Sequence, residues 1–227
     1  MNYSFDFMAV LGSWDRLLAG AWMTVQLSAL ATVIGFVVGT LCAIARTSRV
    51  GWLRTLVGAY VEAIRNTPLL VQVFIVYFGL ASLDLKLSAE AAAVITLVIN
   101  IGAYTTEIMR AGILSIHRGQ VEAAECLGMS GPQIFLHVVL LPAVERVYPA
   151  LSSQFVLLML ASSITSQISV EELTAAANLV QSETFRSFEV FGVIAVMYFA
   201  LSVLFRAGFW AISLLAFPRR RKLGTSL

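Results

Sequence analysis

Five long apolar runs constrain this chain more than any other feature. They cover residues 19–45, 55–80, 89–114, 147–168 and 191–217. Each meets or exceeds the roughly 20 residues a helix needs to cross a hydrocarbon core of about 30 Å. Folding them into a water-soluble globule of 227 residues would require a polar shell, and the residues for one are missing. Only 12% are charged and 59% are hydrophobic, whereas a soluble domain carries about a quarter charged. A mean hydropathy of +0.87 agrees. The expected fold class is all-α: one polytopic membrane domain over residues 1–227, with five transmembrane helices in a lipid bilayer and no separate soluble domain. The apolar stretch IFLHVVLL at 134–141 is too short to cross, and either packs at the membrane surface or leads into the fourth span.

Several functions are excluded early. A net charge of +2 is too small to argue for nucleic acid. Cys42 and Cys126 lack metal-site spacing and form no disulfide framework, so both are expected to be packing residues. The opening MNYSFDFMAV has no basic n-region, and the apolar run after it is too long for a signal peptide. No P-loop and no metal-spaced His/Cys/Glu set occurs. No catalytic residue, metal or cofactor is therefore assigned to this chain, and energy for any pumping must come from another one.

Loop charge sets the orientation. Arg46, Arg49 and Arg54 fall between spans one and two, Arg118 and Arg146 between three and four, and PRRRK follows from Pro218. The opposite side holds Asp6, Asp84, Lys86 and the carboxylates Glu171, Glu172, Glu183 and Glu189 around Arg186. The Arg-bearing loops and the C-terminus are expected in the cytoplasm and the N-terminus outside.

On the longest inward loop, 115–142, lies the polar island GQVEAAECLGMSGPQIFLHVVLLP, residues 119–142. Ala, Glu, Gln and Leu favour a helix over 120–127. Gly128 suits a left-handed cap, and Gly131-Pro132 turns the chain. Such a helix is too short to be stable alone. It fits a docking element with a small face, Ala123 and Ala124, beside the carboxylates Glu122 and Glu125. A bare E-A-A triplet fits an ordinary solvated loop helix equally well.

The longer pattern, E-A-A, three residues, Gly and an apolar run ending in L-P, resembles the cytoplasmic loop of ABC importer permeases. Other segments are similar to the polar amino acid branch of that family: GAWMTVQLSALATVIGFVVGTLCAIARTS (20–48), YVEAIRNTPLLVQVFIVYFGL (60–80), GAYTTEIMRAGILSIHRGQVEAAECLGMS (102–130) and PALSSQFVLLMLASSITSQISVEEL (149–173). The resemblance implies the type I importer permease fold, with Gly119, Gln120, Glu122, Ala123, Ala124 and Gly128 in a coupling helix that sits in a cleft of an ATPase subunit. It implies a multi-pass subunit of a bacterial cytoplasmic membrane that forms half a pathway for a polar amino acid or an opine. The implied partners are an ATPase dimer binding ATP-Mg, a second permease subunit, identical or homologous, and an extracytoplasmic solute-binding protein. Two positions depart from the family's pattern. The loop's proline stands at Pro142 instead of at Leu141, and a Lys-Asp pair carried by many relatives in span four is replaced by Leu160 and Ala161. The lost charges favour a non-identical permease partner.

Ionisable groups within the spans include two pairs at helical spacing, Glu62/Arg65 and Glu107/Arg110, each expected to neutralise itself on one face. Asn66-Thr67-Pro68 interrupts span two. Candidates to touch cargo are the uncharged polar residues nearer mid-membrane: Gln72, Asn100, Tyr104, Gln154, Ser162, Ser163 and Thr165. The competing role for the hydroxyls is back-bonding to their own helix. A stand-alone ion-coupled carrier or channel is the alternative reading, and of the carboxylates in the spans only Glu62 and Glu107 could serve it. An intramembrane enzyme lacks paired nucleophile and base residues.

Overall fold

The structure is a computed structural model that describes residues 5–217; the basic PRRRK tail used for orientation lies outside the described residues. Nine helical segments follow one another among them: α1 Met8–Leu11, α2 Trp14–Thr47, α3 Gly51–Arg65, α4 Leu69–Gly79, α5 Ala89–Leu114, α6 Arg118–Cys126, α7 Gly131–Ile168, α8 Leu173–Thr184 and α9 Ser187–Ala216. Helices α2, α5, α7 and α9 are long and apolar enough to cross a membrane. The pair α3–α4 makes a fifth candidate, bent by 109°.

Helix α2 is apolar all round, as a lipid-embedded helix must be, but its faces differ in size. Trp22, Val33 and Leu41 point outward, while Gly20, Thr24, Ser28, Gly35 and Gly39 are buried. Without a hydrophobic force between helices in lipid, small residues allow backbones to approach closely. A Cβ placed on Gly39 would lie 2.5 Å from Thr105 Cβ and 2.7 Å from the Gly102 carbonyl oxygen. Helix α5 is thus the hub. It packs most extensively on α2 and also carries α3, α4 and α7. Tyr60 of α3 donates to the Ile99 carbonyl of α5 at 2.6 Å, across the face of Gly102.

Two helix boundaries differ from the sequence expectation, and at a third the structure follows one of the two alternatives left open. The first run extends outward to Trp14, where Arg16 meets Glu183 at 2.7 Å and brings α8 down on α2. The second run is no straight span, because Pro68 stands at the N-cap of α4 with ψ 139°. The stretch 134–141 neither stops nor lies flat but continues into α7 through a π-helical turn, Ile134–Leu140. Pro142 falls inside this continuous helix, directly after the π-helical turn, where it withdraws one N–H from the ladder.

The candidate coupling helix and the polar interior

Helix α6 starts three residues after α5 and is fixed at both ends. His117 caps its start, with Nδ1 accepting from the Gly119 N–H at 3.1 Å. At its end Gly128 has φ +74°; its N–H reaches the Glu125 carbonyl at 2.9 Å, and the Met129 N–H reaches that of Ala124 at 3.2 Å. These two bonds are the left-handed glycine cap. Gln133 then turns back to accept from the Ser130 N–H at 2.9 Å, starting α7. Arg146 of α7 donates to the Ser115 carbonyl at 2.6 Å and to its hydroxyl at 2.8 Å, pinning the end of α5.

The helix covers 118–126 rather than 120–127, and its alanines do not share a face. Ala124 is buried where α6 packs on the beginning of α7, whereas Ala123 is exposed. Adjacent residues stand about 100° apart on a helix, so one docks on the chain itself and the other does not. The outward side presents Gln120, Glu122, Ala123, Glu125 and Leu127, the last 81% exposed; Gly119 is half-buried at the base. Neither Glu122 nor Glu125 has a partner among the described residues. An acidic, leucine-bearing face is thereby left exposed among the described residues.

The seven mid-membrane candidates are not gathered into one site. Gln72 and Asn100 are joined: Asn100 Nδ2 donates to Gln72 Oε1 at 3.0 Å. Gln72 Nε2 in turn serves the Ile64 carbonyl at 2.8 Å, the Thr67 carbonyl at 3.0 Å and the Thr67 hydroxyl at 2.9 Å. Those carbonyls are the ones freed by the break at Pro68, so the two amides staple the bent span to α5. The hydroxyls of Ser162, Ser163 and Thr165 back-bond to carbonyls three residues earlier, at 2.7, 2.8 and 2.7 Å. Tyr104 lies under the Arg65 guanidinium, 5.4 Å from its carbon to the ring centre. Gln154 is half-buried and forms no hydrogen bond with the described residues.

Only one charge pair closes as expected. Glu107 takes Arg110 at 2.8 Å and Arg46 at 3.5 Å. Glu62 instead accepts from Asn66 at 3.0 Å while Arg65 turns to Tyr104, because the ring offers a nearby face and the loop amide a nearer donor.

Two features escaped the sequence reading. Glu172 is fully buried at the N-cap of α8, accepting from the Ala175 N–H at 2.9 Å and the Tyr198 hydroxyl at 2.7 Å. Burial lifts its carboxyl above the ordinary 4.5, against hydrogen bonds from Thr174, Tyr198 and Ala175. Nothing local marks its burial, since Tyr198, which caps its second oxygen, lies 26 residues on. Arg206 does have a signal, a lone charge within the fifth apolar run. A charge at the centre of a membrane helix costs about 2.5–3.5 kcal/mol on the insertion scale. It stands in an open groove between α7 and α9.

Residues 35–216 match the family described as binding-protein-dependent transport system inner membrane component. The octopine transport system permease protein OccM of Rhizobium radiobacter is 34% identical over 226 residues, 96% of this chain and 92% of the relative. The glutamine transport system permease protein GlnP of Escherichia coli (strain K12) is 37% identical over 203 residues, 88% of this chain and 92% of the relative. A crystal structure of an amino acid ABC transporter with histidines superposes with a TM-score of 0.85 at 34% identity, covering 93% of this chain and 99% of that one.

Proposed function

Because the chain belongs to the binding-protein-dependent transport system inner membrane components, we propose that it forms half of the translocation path of an ABC importer for a polar amino acid or an opine. The observation that carries the reading is α6, a short helix pinned at both ends, whose acidic outer face has no partner among the described residues. It would seat in an ATPase subunit that binds ATP-Mg. Closure of the ATPase pair would draw two such helices together and shift the spans from inward-open to outward-open. A solute-binding protein would deliver cargo from outside, with the N-terminus on that side and the C-terminus in the cytoplasm of a bacterial inner membrane. The five crossings would be α2, the bent pair α3–α4, α5, α7 and α9. The second permease is non-identical in this scheme, since two copies would place no charge at Leu160 or Ala161.

The carrier alternative loses ground, because Glu107 is held between two arginines. Glu122→Lys is the decisive variant. It should reach the membrane, since no span changes, yet lose uptake, with the ATPase dissociated or idling. Normal uptake with the ATPase still bound would refute the coupling assignment.

A further inference from the structure

Two grooves between α7 and α9, of about 370 and 360 Å³, meet at one pair of residues, Ser153 and Arg206. The first also touches Tyr148, Ser152 and Trp210; the second runs up to Leu160 and Ser202. Arg206 is eleven residues from Phe217, about 16 Å along the helix, and is the one charge in the apolar run 191–217. Its guanidinium makes no hydrogen bond or ion pair with any described residue. Glu107 and Glu62 are engaged elsewhere, Glu107 by Arg110 and Arg46, Glu62 by Asn66. A charge within a membrane span needs a counter-charge or water, and the groove offers Arg206 no counter-charge among the described residues.

We propose that Arg206 is a cargo-binding residue and takes the carboxylate of the transported amino compound as it passes this subunit; the inference rests on the importer reading above. The wall chemistry matches both ends of such a molecule. The planar guanidinium fork fits a carboxylate bidentately. Ser152 donates to the Pro149 carbonyl at 3.0 Å and Ser202 to that of Tyr198 at 2.9 Å. With their protons so committed, both hydroxyls present only lone pairs, which suit an ammonium. Ser153, on the shared wall, is exposed and keeps a hydroxyl free for either role.

The test uses the complete importer in proteoliposomes, with radiolabelled glutamine, arginine and octopine as probes. Arg206→Gln should lower uptake of the probe the unaltered complex imports roughly tenfold to a hundredfold, with the complex intact on size exclusion. Arg206→Lys, which keeps the charge but loses the bidentate fork, should fall between Arg206→Gln and the unaltered complex. Unchanged uptake in Arg206→Gln, or equal losses in both variants, would overturn the proposal. So would dissociation of the complex, which makes the occupant a carboxylate of the second permease. A loss that appears only with anionic lipid present would assign the site to a headgroup phosphate and overturn it equally. If the unaltered complex imports none of the probes, the importer reading itself falls, and this inference with it.

Discussion

Replacing Gly128 isolates the backbone's part in coupling. A Cβ built there meets nothing within 4 Å, so any effect within this chain comes from φ +74° alone. An L-residue in that conformation is strained by about 1–2 kcal/mol. Alanine sits at the low end, near 1 kcal/mol, which shifts a two-state balance roughly fivefold. Valine, β-branched, should approach 2 kcal/mol and about thirtyfold. Asparagine tolerates the left-handed region and should cost least. A nine-residue helix has little stability of its own to absorb such losses. The two capping bonds, to Glu125 and Ala124, should open in proportion. The assay is uptake per ATP hydrolysed by the reconstituted importer, with assembly followed by size exclusion. The expected order is Gly, Asn, Ala, Val. If Asn and Ala fail equally, a side chain is being excluded by the ATPase surface and backbone strain is the wrong explanation. If Val couples normally, the left-handed cap has no role.

The remaining predictions concern the bundle. Gly39→Ala should destabilise by about 1–3 kcal/mol, because its new methyl meets the Gly102 carbonyl and Thr105 Cβ. Gly35→Ala should cost at least as much, because its methyl meets the Cγ2 branch of the fully buried, χ1-stiff Ile101; a clearly higher Tm for Gly35→Ala than for Gly39→Ala in detergent would refute this. Gln72→Leu strands the Asn100 amide and uncovers the Ile64 and Thr67 carbonyls. It should cost about 1–3 kcal/mol, read as a lower Tm with the membrane level of the protein reduced. Glu172 sets a pH dependence. A carboxyl raised in the folded state contributes stability that is fully present below its ordinary 4.5 and lost as pH rises through the raised value. Acidifying from about pH 7 to 5 should therefore raise Tm in the unaltered protein more than in Glu172→Gln; parallel Tm–pH curves would exclude the group.

What was legible in the sequence was whatever is written locally. The apolar runs state their own length, Gly128 its own conformation, and Asn66-Thr67-Pro68 its own interruption of a helix. The 109° of that interruption was not legible. It depends on Gln72 meeting Asn100, 28 residues away, and no pattern within the second run records the contact. For the same reason Gln72 and Asn100 read only as candidates to hold cargo, and their part in holding the break went unread. The alanine pair misled because a helix known only by composition has no defined inner face; Ala124 acquired one when the π-helical turn of α7 arrived beside it. Arg206 could have been found by counting charges in the fifth run.

Between α5 and α6 stand only Ser115, Ile116 and His117, and Arg146 clamps the first of them to α7. A joint that short has no backlash. Travel imposed on α6 arrives at the inner end of α5 almost undiminished, since no slack segment can take it up. Helix α5 has 26 residues and is about 39 Å long, so a tilt of about 5° sweeps its far end by roughly 3 Å. The same stiffness works in reverse. A load on the far end of α5 reaches α6 with as little loss as travel sent the other way.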